Sequence, residues 1–179
     1  MRRSLVVGLV FVISCLNAVA STSYLLGEIK IVSAAGKDHG KSLSLSKRTM
    51  DPKAQAIIEE VVHVTSQGEV KEYLTVMKVN GSRFTMKDGE DTYRGEGELT
   101  GKPWQWTKWK AKATFIDGTG GFRTQHHLVP GGILVKKEFF DPHGKLRLKF
   151  TEDFKFISQE AYDIIHGKLT KTLAKAPVG

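Results

Sequence analysis

Residues 145–157 read KLRLKFTEDFKFI. Leu146, Leu148, Phe150, Phe154 and Phe156 recur at every second position, and Arg147, Lys149, Thr151, Asp153 and Lys155 fill the positions between them. Side chains alternate across a β-strand, so this split describes a strand with one apolar face and one wet face. Glu152 breaks the apolar row. The scarcity of unpaired buried carboxylates predicts that it sits at a barrel rim or beside a bend.

The same alternation runs upstream, cut at short intervals by turn residues. Pro142-His143-Gly144 separates this strand from Ile133–Asp141, and Pro130-Gly131-Gly132 separates that one from Phe122–Val129. Gly118-Thr119-Gly120-Gly121 closes a strand drawn from residues 101–115, GKPWQWTKWKAKATF, which contain all three tryptophans. Further back come Thr92–Leu99, Arg83–Lys87, Val70–Val79 and Ile57–Thr65. Asn80-Gly81 predicts a type I′ hairpin turn, because both residues tolerate positive φ. Asp51-Pro52 is a fair helix start, but the density of β-branched residues in Ile57–Val64 favours strand. Tyr24–Ser33 is a further strand, and Ala34–Lys47, made largely of Ser, Gly and Lys with little to bury, reads as a mobile loop.

After Ser158 the period changes. Ala161, Ile164, Ile165, Leu169 and Leu173 recur every three or four residues, which predicts an amphipathic helix over 159–175 capped by Ser158. Glu160 and Asp163 near its start and Lys168, Lys171 and Lys175 near its end suit the helix dipole.

The first twenty residues stand apart. A basic start at Arg2-Arg3, an apolar run from Leu5 to Ile13 and the small residues Ala18-Val19-Ala20 have the anatomy of a signal peptide, so 1–20 is expected to be removed and 21–179 to form a single domain. The apolar run is shorter than the roughly 20 residues a membrane span needs. The rival reading takes Val12-Ile13-Ser14-Cys15 as a lipobox, with Cys15 lipid-anchored to a membrane. Either way the compartment is periplasmic or secreted. Cys15 is the only cysteine, so the domain holds no internal disulfide and depends on its core. Removing Arg2 and Arg3 from the 27 basic side chains leaves 25 against 19 acidic ones, a formal charge of +6 that favours anionic neighbours without selecting one.

Eight to nine antiparallel strands in sequence order followed by a helix are most economically closed into an up-and-down β-barrel, since closure removes exposed edges. A two-sheet sandwich is the alternative. The order of an N-terminal strand, a long meander and a C-terminal helix resembles the calycin superfamily, which includes the lipocalins. The chain has Tyr24-Leu25-Leu26-Gly27 where lipocalins carry a Gly-x-Trp, so no family binding residues transfer. The resemblance implies a cup for a small apolar or amphipathic ligand.

Candidate site residues follow from residue type and face. Trp104 and Trp106 follow a Gly-Lys-Pro turn and are read either as an end plug or as ligand contacts at the barrel mouth. Trp109 alternates with Ala111, Ala113 and Phe115 and is assigned to the core. Lysines beside the tryptophans also suit peripheral contact with anionic lipid headgroups. His126 and His127 face opposite ways, which argues against a metal site made by the pair, and His126 is the inward one. In 93–98, Tyr93, Gly95 and Gly97 share one face while Arg94, Glu96 and Glu98 share the other, and the two glycines permit close approach. No nucleophile, phosphate-loop or zinc-hydrolase motif is present, and no cofactor is implied. Basic residues scattered over many strands without a recognised module argue against nucleic acid. The resulting expectation is an exported β-barrel binding protein for a small amphipathic or anionic ligand, with Tyr93, Arg94, Glu96, Trp104, Trp106 and His126 as ligand contacts. The alternatives are a cofactor-independent enzyme pairing His126 with Glu96 or Glu98, and a pocketless envelope-interaction protein.

Overall fold

The computed structural model describes residues 21–89, 93–100 and 109–173. In chain order the strands are β1 (Ser21–Ser33), β2 (Asp38–Asp51), β3 (Ala56–Val64), β4 (Val70–Asn80), β5 (Arg83–Asp88), β6 (Tyr93–Thr100), β7 (Trp109–Phe115), β8 (Gly121–Val129), β9 (Gly132–Phe140) and β10 (Leu146–Ile157), followed by α1 (Gln159–Leu173). Each strand pairs antiparallel with its sequence neighbours, and β1 pairs with β10 to close the barrel. The up-and-down barrel with a C-terminal helix is therefore as the alternation predicts.

Among the described residues the strand count is ten rather than eight or nine, because the expected loop 34–47 is mostly β2. The strand was hidden by an inverted pattern. Ser42, Ser44, Ser46 and Arg48 point into the barrel and are buried, while Leu45 points outward and is fully covered. Leu45 and Val62 are buried against Tyr162 of α1, with Tyr24, Leu26, Ile165 and Leu169 packed around them. The helix thus replaces water on the outer face of the first strands. Ser158 Oγ accepts from the Ala161 amide at 3.1 Å, which is the expected cap. Ile164, expected on the packed stripe, is instead exposed, and Tyr162 takes the central position.

Two further details differ from expectation. The β4–β5 turn is centred on Gly81-Ser82, with Gly81 at φ 60° and Asn80 still paired to Arg83, so only the glycine adopts positive φ. A glycine leading a two-residue loop is the II′ arrangement rather than I′. Glu152 lies on neither a rim nor a bend. It is 5% exposed in the interior of a continuous β10, and the Lys137 ammonium compensates its charge.

The interior is divided along the barrel axis. Toward the β2–β3, β4–β5 and β8–β9 turns it is filled by Met50, Ile57, Met77, Val79, Phe84, Ala111 and Ala113, and by Leu25, Ile133 and Val135. Gly97 belongs to this crowded region, where the Lys112 carbonyl and Ala113 Cα of β7 occupy the space a Cβ would need. Close approach of the neighbouring strand accounts for that glycine. No helix among the described residues is long and apolar enough to cross a membrane.

Candidate functional site

The other half of the barrel, toward the β1–β2, β3–β4, β7–β8 and β9–β10 turns, holds a cavity of about 380 Å³. Its depth is polar and its walls toward the turns are largely apolar. Alternation explains the arrangement: Ser44 and Arg48 on β2, Glu59 and His63 on β3, Lys137 on β9 and Glu152 on β10 all occupy inward positions and line the same space.

The deepest element is an ion pair. Arg48 Nη2 donates to both carboxylate oxygens of Glu59 at 2.9 Å, and Ser46 Oγ donates to Oε1 at 2.7 Å. Burial resists ionisation of Glu59, but the adjacent guanidinium and the two donors outweigh it and hold the carboxyl below its ordinary range. Across the cavity, Lys137 Nζ and Glu152 Oε1 lie 2.8 Å apart, with the carboxylate buried and the lysine about one-third exposed. Two cations and two anions make the polar floor formally neutral.

His63 stands above these pairs, directly across from Ser44 in the β2–β3 register. Its Nδ1 atom is buried and has no hydrogen-bond partner among the described residues. Burial lowers its pKa, Glu152 opposes the shift, and Lys71 and Lys137 reinforce it. The apolar wall is a run of rings. Phe115, Phe122 and Phe139 have centroids 6.1–6.4 Å apart, and Phe150 continues the run at 5.0 Å from Phe139. Tyr73, Met86 and Leu148 complete this region.

The residues singled out from sequence are distributed unevenly. His126 is inward and 7% exposed, as expected, and its Nε2 is hydrogen-bonded to Thr124 Oγ1 at 3.1 Å. It is not among the cavity-lining residues, and it pairs in register with Trp109 near the filled half. Burial, reinforced by Arg48, Lys137 and His127, pushes its pKa well below the ordinary histidine value. Glu96 and Glu98 are exposed on β6, where Glu98 faces Arg83 and Lys112 on the neighbouring strands. The structure therefore does not bring His126 together with either carboxylate. Trp104 and Trp106 lie outside the described residues, as do the side chains of Tyr93, Arg94 and Trp109. Thr100 and Trp109, which flank residues 101–108, end β6 and begin β7 on the filled side of the barrel.

Sequence reasoning missed Arg48, Glu59, His63 and Lys137. One signal was present: Arg48 and Glu59 each interrupt a run whose parity is otherwise set by small or β-branched residues. Assigning β2 to a loop removed the neighbour that makes the pair visible. Among the described residues, no group of three or more His, Cys, Asp or Glu is placed to hold a metal ion.

No family model matches the chain, and no curated protein matches it. Among solved structures it is similar to the S-type phycobiliprotein lyase CPES from Guillardia theta, with a TM-score of 0.50 over 76% of this chain and 88% of that one. Sequence identity over that match is 9%, so the likeness is one of fold. In architecture the chain is a closed antiparallel barrel, and the fold likeness supports the resemblance to calycin, lipocalin-like barrels first drawn from the order of its elements.

Proposed function

We propose that this protein is an exported binding protein whose barrel holds a small amphipathic molecule. The observation that carries the reading is the cavity of about 380 Å³, with a charged floor and a phenylalanine wall. That volume falls within the roughly 300–1,000 Å³ of ordinary small-molecule sites, and a mostly apolar lining with a few convergent polar groups is their usual composition. The fold neighbour is described as a phycobiliprotein lyase, which is compatible with a barrel that serves a small-molecule partner. For this chain the proposal extends to holding a ligand and to no lyase reaction. Export rests on the sequence of residues 1–20. Ser21 pairs with Met50 in the β1–β2 ladder, so the described barrel lies within a chain that begins at Ser21.

The test is native mass spectrometry of the full-length gene product purified from its own host, compared with a Phe139→Trp variant that fills the cavity. The wild type is expected to carry a small amphipathic molecule on a chain beginning at Ser21, and the variant at least about tenfold less of it, a loss of roughly 1.4 kcal/mol in affinity. A wild-type protein that carries nothing, and binds no member of a panel of fatty acids, aromatic acids and linear tetrapyrroles, would overturn the binding role. An acylated Cys15 would overturn the free exported form.

A further inference from the structure

We propose that the ligand is an amphipathic carboxylic acid, bound head-down with its carboxylate at the cavity floor, and that it is taken up together with one proton that comes to rest on Nδ1 of His63. This rests on the binding role above and specifies its chemistry. The polar and apolar parts of the cavity are separated along the barrel axis. Arg48, Glu59 and Glu152 lie deep, Lys137 stands level with Phe150 one step nearer the β9–β10 turn, and the rings of Phe115, Phe122 and Phe139 line the wall toward the β7–β8 and β9–β10 turns. A molecule with one polar end and one apolar body satisfies both only with its head inward.

The charge balance then selects the proton. Arg48 is committed to Glu59 and Lys137 to Glu152, so the floor is neutral before anything binds. An added carboxylate brings a negative charge that these four groups already balance among themselves, and an uncompensated charge in a largely buried site is costly. Restoring neutrality needs one proton on a group that faces the head. Around His63 stand Ser44 from β2, Lys71 and Tyr73 from β4, Lys137 from β9, Glu152 from β10 and the Arg48–Glu59 pair deeper in. Lys71 is at the rim, 3.5 Å from Glu69, and both floor carboxylates hold cations. Among these, His63 offers a buried ring nitrogen without a hydrogen-bond partner among the described residues. Burial keeps the ring below its ordinary pKa, so at neutral pH it is uncharged and able to accept. On binding, the ligand remains a carboxylate, a proton from solvent forms the Nδ1–H bond, and the imidazolium donates to the carboxylate. No other bond is made or broken.

The experiment is isothermal titration calorimetry of the delipidated protein with decanoate, and with 1-decanol as the uncharged match, in phosphate and in Tris at one pH. The buffer dependence of the heat is expected to report uptake of about one proton per decanoate and none per decanol. Decanoate affinity should weaken about tenfold per pH unit above neutrality, while decanol affinity stays flat. His63→Gln should abolish the uptake and the slope and still bind decanol, which shows that the variant is folded. Decanoate binding without proton uptake, or uptake that persists in His63→Gln, overturns the inference and leaves the binding role standing. Binding of neither probe overturns both.

Discussion

Strands β2 and β10 both run next to β1, and they solve opposite problems. On β10 the outward residues Arg147, Lys149, Thr151, Asp153 and Lys155 are exposed, and apart from Glu152 large apolar residues turn inward. On β2 the inward residues are Ser42, Ser44, Ser46 and Arg48, while Leu45 faces out and is fully buried under α1. Alternation is intact in both. What differs is the medium on each side: β10 has water outside, whereas β2 has a helix outside and a polar cavity floor inside. Period reports a strand, but polarity reports inside and outside only where the interior is apolar and the exterior wet.

The largest effect that sharpens this contrast is expected at Arg48. If β2 is charged inside because it builds the cavity floor, Arg48→Ala leaves Glu59 buried without its guanidinium and should cost about 3–5 kcal/mol. Denaturant unfolding monitored by tryptophan fluorescence measures it. A loss as small as that of a surface charge would mean that the pair is solvated and that β2 has no special interior. Next in size is Leu45→Ala. If this outward leucine is core in the same sense as Phe154 on β10, truncation should cost about 2–4 kcal/mol. A cost within about 0.5 kcal/mol, the ordinary range for a surface substitution, would mean that α1 does not cover β2 in solution.

The contrast also marks what could be read in the sequence. Strands bounded by glycine turns, β10 above all, were legible because their wet faces carry Lys, Arg and Asp. The helix was legible from the shift in period and from Ser158, although its central buried residue is Tyr162 rather than Ile164. His126 was placed inward from its neighbours alone. The cavity floor was not legible. Arg48 and Glu59 become partners only through the β2–β3 register, and Lys137 and Glu152 only through β9–β10, so neither pair can be seen along one strand. The misreading of Glu152 has the same origin, since the lysine that permits its burial is fifteen residues away in the chain.

The smallest predicted effect tests whether the inward histidines belong to this buried polar system. The folded-state pKa values of His126 and His63 are lowered chiefly by burial, from the ordinary histidine value of 6.5. Between that value and the lower folded one, the unfolded chain holds protons that the folded chain does not. Their contribution is therefore full above pH 6.5 and is lost as pH falls below it, with a limiting slope of about 1.4 kcal/mol per pH unit for each group. Glu59 acts in the same direction at lower pH. Its depressed pKa adds stability that is complete above the ordinary carboxylate value of 4.5 and declines beneath it. Urea unfolding at pH 7.5, 6.5 and 5.5 should accordingly show stability falling over the lower step and little change over the upper one. His126→Gln should remove the larger part of that fall, because its ring is the more deeply buried and the charges of Arg48, Lys137 and His127 add to the effect of burial. Stability that stays level to pH 5.5 in the wild type would mean that both rings protonate freely in the folded protein. The interior of β3 and β8 would then be as wet as the outer face of β10.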